Sequence, residues 1–193
     1  GNHFIELGIS DSQKELWLII HSGSRGIGHK VAQKYMIKAS GSENEFEKTF
    51  PLDDFSQLGK EYLNVLEFGL DFALLNRLEM AMRVKSTIEL ILKTKLKSEL
   101  WTNKTHNHAI PERGSYIHRK GATPAKKGER GVIPANMKDG TYLVEGLGNP
   151  KFLHSSAHGA GRALSRTKAK EKISLQHFKE EMKGITGSFS EKT

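Results

Sequence analysis

Alternation of apolar and polar positions opens the chain. Phe4, Ile5 and Leu7 are followed, across the polar stretch Ser10-Asp11-Ser12-Gln13-Lys14, by the apolar run Leu16-Trp17-Leu18-Ile19-Ile20. Two strands joined as a hairpin are the expectation. A helix is expected over 31–39, and the polar, acidic stretch 40–54 reads as an exposed connection. From 56 to 99 the period changes: Leu63, Leu66, Leu70, Leu74, Leu78, Met82, Ile88, Ile91 and Leu92 recur mostly three or four apart. That spacing predicts helix, in two segments, with its apolar stripe packed. Asn76-Arg77 interrupts the stripe.

Beyond residue 105 apolar residues thin out. Between 105 and 140 Gly, Pro, His and basic residues dominate, a composition for loops that are either disordered or wrapped round a site. Short apolar pieces at 142–144 and 151–153 read as edge strands, 175–183 as a helix, and 184–193 as a frayed end. The whole is an α+β pattern, mixed β-strands with a long helical segment.

Size and charge narrow this picture. At 193 residues the chain has room for one ordinary core, so 1–193 is expected to be a single domain. Lys plus Arg exceed Asp plus Glu by 30 to 22, a net charge of +8 that favours polyanionic partners such as nucleic acid or nucleotide phosphates. Cysteine is absent, which excludes disulfides and thiolate metal sites within this stretch. No apolar run approaches the roughly 20 residues of a membrane span. These features lead us to expect a cytoplasmic protein with no membrane partner. The opening Gly1-Asn2-His3-Phe4-Ile5-Glu6 runs straight into a strand pattern, as though a longer protein were cut inside an element.

Candidate chemistry is carried mainly by histidines. His3 and His21 fall at the outer ends of the two strands, where an antiparallel pair brings them near each other. They are either metal ligands or a solvated surface pair, with Glu6 near enough to orient a ligating ring. The passage His21-Ser22-Gly23-Ser24-Arg25-Gly26-Ile27-Gly28 is a strand-to-helix loop of the kind that offers backbone N–H groups to phosphate. It matches neither the Walker nor the dinucleotide pattern. Arg77 reads as a solvated helix arginine or as a contact to a nucleic-acid backbone. In Ser155-Ser156-Ala157-His158-Gly159-Ala160-Gly161-Arg162-Ala163-Leu164-Ser165-Arg166 small residues surround a histidine followed by two arginines. Small residues let a ligand approach the backbone, arginine forks suit phosphate, and an imidazole is nucleophilic at neutral pH. The plainer alternative is a glycine-rich turn with a structural histidine.

Taken in order, NHFIE, HSGSRGIGH, HN, HRKGATPA, IPANM and SAHGAGRALSR closely resemble the RtcB family of RNA ligases. The likeness runs over nearly the whole chain. It implies an RtcB-like fold and an enzyme that joins RNA 2′,3′-cyclic phosphate or 3′-phosphate ends to 5′-hydroxyl ends in tRNA splicing or RNA repair. GTP and Mn(2+) are implied as cofactors, and His158 as the nucleophile that carries the guanylate. By the same resemblance His3, His21 and His106 are metal ligands. Asn2, Glu6, His106, Asn107, Pro134, Ala135, Asn136, Met137, Thr141, His158, Gly159, Ala160 and Gly161 meet nucleotide or substrate phosphate. Arg25, Arg162 and Arg166 supply phosphate contacts on RNA. The other histidines, His29, His108, His118, His154 and His177, are surface or structural, though His108 could lean on substrate. The implied partners are RNA and GTP, with an activating helper protein, and the implied state is a monomer.

Departures from the family pattern go with these matches. The family's upstream aspartate and cysteine, which complete a two-metal site, and its late lysine on guanine fall outside the chain, as in a fragment lacking both ends. Ala135-Asn136-Met137-Lys138 stands where a glycine-serine-methionine-glycine loop is usual, and Thr141 where a serine is usual. Two other classes remain beside the ligase: a catalytically inactive RNA-binding module, and a metal-dependent phosphoesterase using the same histidines.

Overall fold

The computed structural model describes residues 3–12, 14–42, 50–112 and 114–187. Asn2 therefore lies outside the described residues, as do 43–49 of the expected connection and 188–193 of the expected frayed end. The chain divides into two compact units, Gly1–His118 and Arg119–Thr193.

The first unit begins with the expected hairpin. Strands β1 (Phe4–Ile9) and β2 (Leu16–His21) pair antiparallel, with Phe4 opposite His21 and Ile9 opposite Leu16. Because successive side chains alternate across a strand, Phe4 and Glu6 share a face with Trp17, Ile19 and His21. Ile19 is buried on that face, and Trp17 meets Trp101 edge to face at 5.5 Å between ring centroids. The opposite face carries Ile5, Leu7, Ile9 and Leu16, each at least half exposed.

Helix α1 (Ile27–Ser40) follows, and α2 (Gln57–Leu92) is a single 36-residue helix. The expected two segments are one: no proline falls within it, and the polar interruption at Asn76-Arg77 carries no backbone break. The helices pack through Tyr35 and Tyr62, whose rings lie 5.3 Å apart. Burial pushes the Tyr62 hydroxyl pKa up. The stripe read as packed is covered only in part. Ala73 is buried, whereas Met82, Ile91 and Leu92 are exposed. At the C-terminal end Glu89 accepts a hydrogen bond from the Leu96 backbone N–H at 2.9 Å, the main cause that holds its carboxyl below the usual range.

The region 105–140 is ordered as strands. β3 (Asn107–Glu112) and β4 (Ser115–Lys120) form one two-stranded sheet, and the division between the units falls within β4. In the second unit β5 (Ala122–Pro124) pairs antiparallel with β8 (Ser155–Ala157), and β6 (Arg130–Asn136) with β7 (Gly140–Glu145). Residues 142–144 lie in β7 as expected. Residues 151–153 do not form a strand: Pro150–Phe152 is a 3-10 turn, because the Asn149 side chain accepts from the Lys151 N–H and Pro150 is preset for a first helical position. Two short helices close the described chain, α3 (Arg166–Lys172) and α4 (Leu175–Glu181). No helix among the described residues is long and apolar enough to cross a membrane.

Candidate active-site segments

In the first unit β2 ends in the site. His21 Nε2 lies 3.1 Å from His106 Nε2, with the ring centroids 5.0 Å apart. Two imidazole nitrogens each roughly 2.0–2.1 Å from one ion lie about 3.0–3.4 Å apart, so the pair has the spacing of two donors to a single divalent cation. Among the described residues no group of three or more His, Asp or Glu side chains gathers to hold an ion. His3 does not join the pair, for a reason of parity. The register that sets Phe4 opposite His21 sets His3 opposite Ser22, on the other face of the ladder. There His3 Nδ1 lies 3.1 Å from the Ser22 hydroxyl. Glu6, in turn, is on the His21 face.

Helix α2 reaches this strand end through its polar interruption. Asn76 Nδ2 donates to Ser22 Oγ and to the Gly23 carbonyl, both at 3.1 Å. Arg77 Nη1 donates to the Ser22 carbonyl at 2.9 Å and Nε to Asn103 Oδ1 at 2.6 Å. Asn103 Nδ2 returns to the Leu74 carbonyl at 3.1 Å. Neither reading of Arg77 as solvated or as a nucleic-acid contact holds, since its guanidinium is engaged inside the unit. Burial pulls its pKa down from the ordinary arginine value. This network escaped the sequence reading, although two polar residues breaking an apolar stripe were its visible trace.

The loop after Ser22 is partly self-satisfied. The Gly28 N–H donates to Ser24 Oγ at 2.8 Å and the Ile27 N–H to the Ser24 carbonyl at 3.1 Å, so these two groups are not offered to a phosphate. Arg25 is exposed, at φ 53°. Asn107 is exposed beside His106, whereas His108 is buried with Nδ1 2.8 Å from the Thr105 hydroxyl, a structural placement. His29 and His118 are exposed.

In the second unit β8 delivers His158. Its Nδ1 is 2.6 Å from the Gly121 carbonyl oxygen. A carbonyl only accepts, so Nδ1 carries the proton and Nε2 is left as the basic nitrogen. Gly121 has φ +72°, and a Cβ there would stand 3.1 Å from His158 Cε1, so the close approach requires glycine. Next to it the Ala160 N–H donates to the Pro134 carbonyl at 3.1 Å, which brings the IPANM hairpin to the His158 loop. A Cβ on Gly159 would come within 3.3 Å of the same oxygen.

The other expected contact residues of this unit lie round that hairpin. Thr141 is opposite Pro134 in the ladder. Asn136 Oδ1 accepts from the Lys138 and Asp139 N–H groups at 2.8 and 2.9 Å, so its side chain builds the turn. Ala135 is half-buried and Met137 exposed. Arg162 and Gly161 are exposed, and Arg166 begins α3. His154 Nδ1 donates to the Gly148 carbonyl at 2.9 Å, and His177 is exposed. One further residue went unread: Arg119, only 4% exposed, donates from Nε to Ser155 Oγ at 2.9 Å and from Nη2 to the Leu153 carbonyl at 3.1 Å. It braces the lead-in to β8.

The first unit thus pairs two strand-end histidines, and the second tethers one histidine to a carbonyl in a glycine-rich loop. The family model described as tRNA-splicing ligase RtcB matches residues 1–192, and the chain belongs to that family. It is 34% identical to the RNA-splicing ligase RtcB of Escherichia coli strain K12 over 191 residues, covering 91% of this chain and 47% of that protein. The tRNA-splicing ligase RtcB of Nanoarchaeum equitans is 30% identical over 223 residues, covering 89% of this chain and 45% of its own. The chain thus spans about half the length of the curated relatives it matches.

Proposed function

We propose that the chain forms part of a GTP- and Mn(2+)-dependent ligase that joins RNA 2′,3′-cyclic phosphate or 3′-phosphate ends to 5′-hydroxyl ends. The observation that carries this reading is the 2.6 Å bond from His158 Nδ1 to the Gly121 carbonyl. It fixes the tautomer in which Nε2 is the basic nitrogen, the atom that acts as nucleophile. In the first step that lone pair bonds to the α-phosphorus of GTP as the bond to pyrophosphate breaks, leaving GMP on His158. The GMP then passes to the RNA 3′-phosphate, and the 5′-hydroxyl oxygen displaces it. Arg25 and Arg162, both exposed, hold RNA phosphates.

His21 and His106 fit a divalent cation as two of its donors, and parity assigns His3 to a separate position. Such an ion, when bound, neutralises charge that develops on phosphate oxygens. Imidazole with oxygen donors suits manganese.

The test is incubation with α-labelled GTP and Mn(2+) followed by denaturation. Label retained by the protein and lost in His158→Ala is the expected result. Unlabelled protein that still retards RNA, with an affinity falling steeply in salt, would replace the ligase by the binding module. Phosphate release from 3′-phosphorylated RNA without label would replace it by the phosphoesterase.

A further inference from the structure

The histidines of the first unit come from chain segments far apart in sequence, and something must fix their separation. His21 ends β2, and His106 precedes β3 after a stretch, 95–105, with no regular element. A 3.1 Å spacing between ring nitrogens leaves little room for drift, because metal–nitrogen distances tolerate only about 0.2 Å.

We infer that Arg77, helped by Asn76, is a positioning residue that sets the His21–His106 distance by bridging the two segments that carry them. Nη1 holds the carbonyl of Ser22, the residue after His21, and Nε holds the side chain of Asn103, three residues before His106. One rigid guanidinium thus spans both sides of the pair. Asn76 fixes the same turn from the next position, through Ser22 Oγ and the Gly23 carbonyl. Because Ser22 Oγ also meets His3 Nδ1, the helix pair orients all three histidines without touching an ion. Ser22 Oγ accepts from Asn76 and lies 3.1 Å from His3 Nδ1; in the tautomer with the proton on Nδ1, Nε2 is the nitrogen that can donate to a metal. Arg77 is anchored well enough to act as the reference point: Asn103 is itself tied to the Leu74 carbonyl on the same helix. A lysine keeps the charge but has a single nitrogen and cannot hold two acceptors in the fixed fork.

This inference rests on the reading of His21 and His106 as donors to one divalent cation, and the experiment separates the two. Mn(2+) binding to the whole chain is followed by calorimetry, and Co(2+) binding by its visible absorption, in the wild type, His21→Ala, His106→Ala, Arg77→Lys and the double variant Arg77→Lys/His106→Ala. We expect Arg77→Lys to weaken Mn(2+) about 10–100-fold and to change the cobalt spectrum. In the His106→Ala background it should cost little more, since only one ligand remains to be placed. The exposed Arg83→Lys, whose partner is Glu79, should leave affinity unchanged. Equal losses from Arg77→Lys in both backgrounds, or wild-type affinity in Arg77→Lys, overturn the positioning role while the metal reading stands. Ion binding unaltered by His21→Ala and His106→Ala overturns both. Should Arg77→Lys lose its fold by circular dichroism, Asn103→Ala, which cuts only the His106 side, is measured the same way, with a severalfold loss expected and wild-type affinity overturning the inference.

Discussion

The two units present histidines by opposite means. On the first, His21 and His106 are placed by side chains: Asn76, Arg77 and Asn103 reach across from α2 and the 95–105 stretch to hold the segments that bear them. On the second, His158 is placed by backbone: one carbonyl from Gly121 takes the ring N–H, and one from Pro134 takes the N–H two residues on. A pair that binds a cation needs two rings at a set separation, which polar side chains of suitable reach supply. A nucleophile needs one tautomer and one direction of approach, and a carbonyl opposite the ring fixes both. The two sites should therefore fail under different substitutions.

The largest effect should come from Gly121→Ala. Its φ of +72°, which L side chains rarely adopt, and the 3.1 Å approach of a new Cβ to His158 Cε1 push the ring aside by a few tenths of an ångström; since displacement of a nucleophile by about 1 Å costs on the order of a hundredfold, this smaller shift should cost on the order of tenfold. Guanylate labelling should fall by about that factor. The matching change on the first unit, Gly23→Ala, puts a Cβ where nothing lies within 4 Å, so Mn(2+) affinity should stay within about twofold. Similar losses from both substitutions would erase the distinction between the units.

Arg119→Met should act next, on stability. The guanidinium is nearly fully buried and holds Ser155 Oγ and the Leu153 carbonyl. Hydrogen bonds from a charged group contribute about 1.5–3 kcal/mol each, partly regained by the apolar replacement. A loss of about 2–4 kcal/mol in denaturant unfolding is expected. An unchanged midpoint would show that β8 is held by its ladder alone.

Much of this arrangement was legible in the residues, and the rest was hidden for identifiable reasons. The hairpin and α2 follow from apolar periods of 2.0 and about 3.6 residues, and α1 and α4 were legible as helical stretches although α4 has no buried residue. Strands β3 to β6 did not show because their two-stranded sheets bury little apolar surface. In them polar groups such as His108 and Arg119 take up interior positions that usually carry the apolar signal. The histidines stood out by type and order, but their grouping did not. Whether His3 shares a face with His21 turns on a one-residue register that turn length does not fix. Arg77 was misread because its acceptors at Ser22 and Asn103 are remote in sequence, and a helix arginine carries no local sign of which way it points.

The smallest effect tests whether the hairpin of the second unit depends on its outer tie. Lys138 Nζ meets Glu181 Oε2 at 2.6 Å, joining the turn after β6 to α4. That hydrogen bond is the main cause of a raised Lys138 pKa and a lowered Glu181 pKa. A carboxyl whose folded pKa is depressed stabilises the fold above its unfolded pKa and loses that contribution as pH falls through the folded value. A lysine whose pKa is raised contributes below its unfolded pKa and loses that as pH rises through the folded one. The pair is therefore complete between the two ranges, across neutral pH. Both side chains are about half exposed, so water and salt screen the attraction. Glu181→Gln should leave the thermal midpoint at pH 7 within error and remove only a slight acid-side slope. If instead it lowered guanylate labelling, the backbone frame round His158 would owe its shape to a surface side chain, and the contrast between the units would narrow.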